Sequence, residues 1–251
     1  MDEPSRMAVC AIVPVYNHPS TIAAVVAELR AHGLPVMLVD DGSNDSCAEV
    51  LLTLAAGDDD IILVRLPSNR GKGAAVLAGA REAVARGFSH GLQIDADGQH
   101  DTASVPAAIA QARAHPEAMI IGVPIFDETI PRVRLYGRWL SHVLVWVQTW
   151  SLAIRDAMCG FRIYPLTDLN ALADRCRIGA RMDFDIDVAV RLVWAGVPVQ
   201  RVAVAVHYPA DGVSHFDLWR DNARITWLHL RLLAGMLVRA PALAQRRLRA
   251  C

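Results

Sequence analysis

Ala8-Val9-Cys10-Ala11-Ile12-Val13-Pro14-Val15 is an unbroken apolar run of strand length, and the pattern that follows it decides the architecture. Ser20 and Thr21 offer N-caps to a helix predicted to reach about His32, closed by Gly33 and Pro35. Val36–Val39 then reads as a second buried strand and Ser46–Ala56 as a helix. Ile61–Leu66 is predicted as a third strand, Lys72–Arg86 as a helix closed by Gly87, and Gly91–Ile94 as a fourth strand. Ala103–Ala114 follows as a helix and Met119–Val123 as a fifth strand. Short strands without polar alternation, separated by helices, imply an α/β fold with a mostly parallel, Rossmann-type sheet covered on both faces. Ligands of such sheets sit at the carboxyl ends of the strands.

After Val123 the alternation stops. A long helix is expected over about Arg132–Ile154, then the motif Cys159-Gly160-Phe161-Arg162. Helices near Leu166–Arg175 and Phe184–Ala195 precede a strand at Val199–Val206. A last helix is expected from Phe216 to about Arg239, where Pro241 stops it. No repeat and no Gly-, Ser- or Pro-rich linker divides the chain. The expected organisation is therefore one catalytic domain over 1–215, with a nucleotide-binding half (8–123) and an acceptor-side half (124–215). Residues 216–251 form a basic amphipathic helix and tail.

The 251 residues are 53% hydrophobic and 20% charged, with mean hydropathy +0.27. A chain this apolar offsets its ordering entropy by burial, which excludes disorder. Within the expected long helix, the stretch free of Asp, Glu, Lys and Arg, Trp139–Ile154, would reach only about 24 Å, short of the ~30 Å hydrocarbon slab. Net charge is −1, with no overall basic excess to suggest nucleic acid. The charge is uneven, because 216–251 carries seven arginines against Asp217 and Asp221. Five cysteines without CxxC spacing, and a polar start without an apolar leader, read as reduced thiols in the cytoplasm.

Two acidic motifs fall at predicted strand ends: Val39-Asp40-Asp41-Gly42-Ser43 and Asp95-Ala96-Asp97-Gly98-Gln99-His100. Asp-Gly pairs are common turns, yet two such motifs at one sheet edge suit a hard cation that completes its shell with phosphate oxygens, Mg²⁺ or Mn²⁺. No GxGxxG, P-loop, GxSxG or HExxH motif is present. Lys72, the only lysine, lies at a glycine-flanked helix start suited to phosphate.

Ile12-Val13-Pro14-Val15-Tyr16-Asn17, Val39 to Asp45, Asn69-Arg70-Gly71-Lys72-Gly73-Ala74-Ala75, Asp95 to His100 and Cys159-Gly160-Phe161-Arg162 occur in one order. In that order they resemble the family 2 glycosyltransferases, in particular the dolichyl- or polyprenyl-phosphate mannosyltransferase branch. The resemblance implies a GT-A-like fold and inverting transfer of a single sugar from a UDP- or GDP-linked donor to a lipid-linked or other membrane-associated acceptor, such as a polyprenyl phosphate. It implies nucleotide-sugar contacts from Pro14, Tyr16, Asn17, Asp40, Asp41, Lys72 and Asp95. Asp95, Asp97 and Gln99 would hold the metal, Asp97 and Asp187 would be catalytic, and Arg162, Ser214 and His215 would face the acceptor. His18, Asp187, Asp211 and His215 stand where the family carries an acidic residue, Glu, Arg and Lys respectively. The rival readings are an Asp-dependent phosphohydrolase and a non-catalytic nucleotide-sugar-binding protein.

Trp139, Trp146 and Trp150 share one helical face, read either as a core stripe or as a lipid-facing one. Trp219, Ala223, Trp227, Leu230, Leu233 and Leu237 form an apolar stripe edged by Arg220, Arg224 and Arg231. A basic amphipathic helix of this kind suits an anionic membrane surface. The expected location is therefore cytoplasmic, with peripheral association to the inner membrane.

Overall fold

The computed structural model describes residues 7–126, 132–207 and 217–249. The first half alternates β1 (Val9–Val15), α1 (Ile22–Ala31), β2 (Val36–Asp40), α2 (Asp45–Gly57), β3 (Ile61–Arg65), α3 (Lys72–Ala85), β4 (His90–Gln93), α4 (Val105–Ala114) and β5 (Met119–Phe126). The second half adds α5 (Arg132–Thr149), β6 (Arg162–Pro165), α6 (Leu166–Arg175), α7 (Phe184–Ala195), β7 (Val199–Val206) and α8 (Leu218–Arg249). The strands make one sheet in the order β3-β2-β1-β4-β6-β5-β7. All pairings are parallel except those of β6, which runs antiparallel to both β4 and β5.

Successive side chains of a strand point to opposite faces, so each apolar run feeds two cores. Cys10, Ile12, Met37 and Val39 pack beneath α3, α6 and α7. Ala11, Val13, Val36 and Leu38 pack against α1, α2 and α4. The expected α/β architecture is thus present, and it brings the carboxyl ends of β1, β2 and β4 side by side.

Three boundaries differ from expectation. β6 is not predicted from sequence, because four residues beginning with a buried arginine carry no strand pattern. The long helix ends at Thr149 rather than Ile154, since Trp150 adopts φ 53° and turns the chain out of the helix. The last helix does not stop at Pro241 but runs on to Arg249. Proline there leaves the Leu237 carbonyl without its helical donor, at a residue on the exposed side of the helix.

α8 carries two apolar stripes. Ile225, Leu228, Leu232, Met236 and Leu243 are buried in the core of the domain, each contributing about 1.5–3 kcal/mol of burial. The stripe expected from sequence is the other one: Trp219, Trp227, Leu230 and Leu237 are exposed. α5 divides in the same sense. Its Ser141, Val145, Gln148 and Thr149 are buried, whereas Trp139, Leu140 and Val147 face outward, as does Trp150 just beyond its end. The tryptophan stripe is therefore not a core stripe.

Polar contacts tie the two helices together. The Gln148 amide donates to the His229 carbonyl at 3.2 Å and contacts His229 Nδ1 at 3.1 Å, while the Trp194 indole of α7 donates to the Gln148 carbonyl at 2.8 Å. Burial pushes His229 down to about 4, against about 6.5 in an unfolded chain. As pH falls below 6.5 the unfolded chain takes up the proton first. Stability should therefore decline between about pH 6.5 and 4 and level off below. Urea unfolding at pH 7 and pH 4.5 should show a loss of up to about 3 kcal/mol in the native protein, and a smaller loss in His229→Gln.

Candidate active site

Five loops meet at the carboxyl edge of the sheet. Asp40 and Asp41 end β2, and both are buried. Asp40 accepts from the Ser43 amide at 2.8 Å and from Arg65 Nε at 3.1 Å. Asp41 accepts from the amides of Arg70 and Gly71 at 2.7 and 2.8 Å. Burial raises Asp41 above the usual carboxylate range, although these two amides oppose the shift. Asp40 and Asp41 thus shape the turns around the pocket, with their oxygens already engaged by the chain.

Pro14 and Tyr16 are half-buried at the end of β1, beside Asn17. Asn17 has φ 57°, a left-handed conformation that asparagine tolerates. Its amide donates to Ser43 Oγ and its side-chain oxygen accepts from the Asn44 amide, which joins the first motif to the second. Thr21 does not cap α1 as expected. Its hydroxyl donates to the Ala96 carbonyl at 2.7 Å and fixes the Asp95–Asp97 turn instead.

Lys72 occupies the centre. Its Nζ lies 2.7 Å from Asp95 Oδ1 and 2.8 Å from Asp185 Oδ2. Asp185, at the start of α7, also accepts from the Gln93 amide at 2.8 Å, and Gln93 accepts from the Tyr164 hydroxyl at 3.1 Å. Burial opposes the charge of Lys72, but the carboxylates of Asp185 and Asp95 outweigh it and hold its pKa above the ordinary lysine value. Gly160 completes the contact, because a Cβ there would lie 2.2 Å from Asp95 Oδ2 and 2.8 Å from Lys72 Nζ. Only glycine lets the Cys159–Arg162 loop approach so closely.

Asp95 and Asp97 repel each other. Burial would raise Asp95, but Lys72 and His100 outweigh it and keep the carboxyl below its usual range. Asp97 is raised, by burial first and the Asp95 charge second, although the Gln99 amide donates to it at 3.0 Å. His100 lies beside them with Nε2 3.7 Å from Cys159 Sγ. Its Nδ1 is buried and lacks a hydrogen-bond partner.

Two expected roles move. Arg162 was expected to face the acceptor, but it is fully buried and donates to the carbonyls of Cys159, Asp185 and Ala157. It fastens the Cys159–Arg162 loop from beneath. Asp187, expected as a base, is fully buried. It accepts from the Gly179 amide at 2.9 Å and pairs with Arg191 and, at 3.5 Å, Arg231 of α8. A carboxylate so enclosed supports the loop ahead of α7, and Asp185 is the neighbour that reaches the site. Ser214 and His215 lie outside the described residues.

Sequence reasoning missed Gln93, Tyr164 and Asp185. The available signal was a glutamine inside an otherwise apolar strand. Removing the central cation gives a direct test. Lys72→Met should leave Asp95 and Asp185 facing each other and cost about 3 kcal/mol in urea unfolding. Adding Asp185→Asn should recover part of that loss.

The sequence profile described as glycosyl transferase family 2 matches residues 10–170. The dolichyl-phosphate beta-glucosyltransferase of Drosophila melanogaster is 30% identical over 265 residues, covering 93% of this chain and 78% of that protein. The undecaprenyl-phosphate mannosyltransferase of Micrococcus luteus is 24% identical over 211 residues, covering 79% and 83%. Glucosyl-3-phosphoglycerate synthase from Mycobacterium tuberculosis, solved with Mn²⁺ and UDP-glucose, shares the fold with TM-score 0.63 at 16% identity, covering 93% and 79%. With the Asp95–Asp97 turn, the Lys72 loop and the sheet edge that joins them all inside the matched span, the chain belongs to glycosyl transferase family 2 and is a glycosyltransferase.

Proposed function

We propose that this glycosyltransferase moves one sugar from a nucleoside-diphosphate sugar, UDP- or GDP-linked, to the phosphate of a polyprenyl-phosphate acceptor. The observation that carries this reading is the Lys72–Asp95–Asp185 cluster beside Asp97 at the carboxyl edge of β4. The acceptor is drawn from the two relatives whose names carry a dolichyl or undecaprenyl phosphate. The chemistry agrees with it. A hydroxyl acceptor needs a general base, yet Asp185 is engaged by Lys72 and Gln93, and Asp187 is enclosed by Gly179, Arg191 and Arg231. A phosphate is already anionic and needs no base. Its oxygen attacks the anomeric carbon from the face opposite the leaving group and inverts it. The bond from that carbon to the diphosphate breaks, with the electron pair leaving on the diphosphate.

The donor set fits a divalent cation. Asp95 and Asp97 repel each other, His100 adds an unpaired buried nitrogen nearby, and Gln99 follows in the same turn. Among the described residues no three His, Cys, Asp or Glu side chains are arranged as a complete metal cage. Asp95, Asp97 and Gln99 would therefore hold Mg²⁺ or Mn²⁺ with the remaining positions filled by oxygens from donor and water. Such an ion stabilises charge that develops on the departing diphosphate. Lys72, held by Asp95, adds a fixed positive charge to the same place. Pro14, Tyr16, Asn17, Asp40 and Asp41 form the walls for the nucleoside. We place the enzyme on the cytoplasmic face of the inner membrane as a peripheral protein. No helix among the described residues is long and apolar enough to cross a membrane.

The test supplies the purified protein with UDP-glucose or GDP-mannose, a polyprenyl phosphate and Mn²⁺ or Mg²⁺. One donor should yield a glycosylated lipid phosphate, with turnover lost on chelation and reduced about a hundredfold in Asp97→Asn. Hydrolysis of the donor without a lipid product would overturn the acceptor. Full turnover in Asp97→Asn would overturn the role of that carboxylate.

A further inference from the structure

The loop ahead of α7 forms a saddle under the start of α3. Gly73 donates its amide to the Ala180 carbonyl at 2.9 Å, and the Arg181 guanidinium donates to the Asn69 side-chain oxygen at 2.9 Å. The fit is close, since a Cβ on Gly73 would lie 2.5 Å from the Phe184 ring and 2.7 Å from the Gly179 carbonyl oxygen. Lys72 stands between these contacts. The saddle therefore carries its backbone, while Asp95 and Asp185 hold its ammonium. The C-terminal part of the saddle closes on itself. The Arg181 amide donates to Asp183 Oδ1 at 3.1 Å, and the Phe184 amide donates to the Arg181 carbonyl at 3.0 Å. Its first residue, Gly179, is fastened by Asp187 instead, whose Oδ2 accepts the Gly179 amide at 2.9 Å.

Asp187 is fully buried, and two helices share its charge. Arg191 of α7 pairs with Oδ1, and the part-exposed Arg231 of α8 lies 3.5 Å from Oδ2. A buried ion pair often contributes no more to stability than apolar side chains of similar volume. What an apolar residue could not supply here is an acceptor for the Gly179 amide. Gly179 is itself buried, so that amide would be left without a partner. The carboxylate is thus a fixed point, and the saddle and the Lys72–Gly73 backbone are referred to it in series. The distance at stake is small. Misplacing a group by about 1 Å from far outside the reacting centre can cost a hundredfold in rate.

We propose that Asp187 is a positioning residue for glycosyl transfer, which sets the saddle that places Lys72 at the donor diphosphate. The diphosphate contact rests on the function proposed above, but the placement of Lys72 is tested without any ligand. Lys72 is the only lysine, so Lys72–Gly73 is the only Lys-Gly pair in the chain. Labelling lysine with ¹³C at its carbonyl and glycine with ¹⁵N therefore leaves one carbonyl-coupled amide signal, that of Gly73. Its hydrogen exchange is followed in two double variants. Asp187→Ala with Arg191→Met removes the acceptor and leaves no enclosed arginine unpaired, whereas Asp187→Asn with Arg191→Met removes the same charges but keeps an acceptor for Gly179. Leu51→Ala, buried in α2 on the other face of the sheet, controls for a loss of global stability. Exchange of Gly73 should quicken about tenfold or more in the alanine pair and stay near native in the asparagine pair and in Leu51→Ala. The kcat/KM for the nucleotide sugar should fall about tenfold or more in the alanine pair, recover in the asparagine pair, and leave the KM for polyprenyl phosphate unchanged. Equal Gly73 exchange in both pairs would overturn the placement. Faster exchange with unchanged kcat/KM would make the saddle a structural element only and overturn the positioning role. If the native protein makes no glycosylated lipid, the acceptor reading fails, and calorimetry with UDP and GDP in Mn²⁺ decides the role instead. Binding about tenfold weaker in the alanine pair supports it, whereas equal binding, or no binding by the native protein, overturns it.

Discussion

The ammonium of Lys72 between Asp95 and Asp185 is the contact on which the rest of the site depends. It joins a helix start in the first half of the chain to the turn after β4 and to α7 of the second half. Without a cation there, the sheet edge would gather three carboxylates, Asp95, Asp97 and Asp185, into a partly buried space. Desolvation and mutual repulsion would then oppose the fold. The lysine permits that concentration of negative charge, while burial and the Asp95 charge hold Asp97 above the usual carboxylate range. A site so arranged is receptive to further positive charge.

The first half of the fold was legible because strands buried on both faces must be apolar throughout, and because Gly, Pro and capping residues mark their ends. Lys72 was legible for a simpler reason, as the one lysine at a glycine-flanked helix start. β6 was not, since its burial depends on two antiparallel neighbours far away in sequence and its first residue is charged. Asp185 and Asp187 lie two apart on one helix, and sequence alone does not say which points to the site and which into the support beneath it. Arg162 is misleading in the same way. A cation next to a glycine suggests a phosphate ligand, but here three backbone carbonyls consume it.

Helical periodicity also identifies a face without identifying what it meets. The tryptophans in and just after α5 fall on one side in sequence, and only the burial of Ser141, Val145, Gln148 and Thr149 on the other side shows which face meets the core. The same holds for α8, whose sequence contains two apolar stripes. The one with the tryptophans and neighbouring arginines is the more conspicuous, yet the other fills the core. A helix that must satisfy both a protein interior and an outward apolar contact carries more hydrophobic residues than either role needs. That accounts for part of the high mean hydropathy in a chain with no spanning segment among its described helices.

The antiparallel strand has a mechanical consequence. β6 is registered with β4 over four residue pairs but with β5 over only two, whereas β5 and β7 are zipped together over eight. The sheet therefore has a seam directly beneath the site, where the fewest ladder bonds hold the β5–β7 pair to the remainder. Local opening follows such seams. Arg162 stands at this one, with its guanidinium fastened to Ala157, Cys159 and Asp185. Its buried guanidinium ties the loop ahead of β6 and the start of α7 to the strand that borders this seam, so both would move with β6 rather than with the β5–β7 pair.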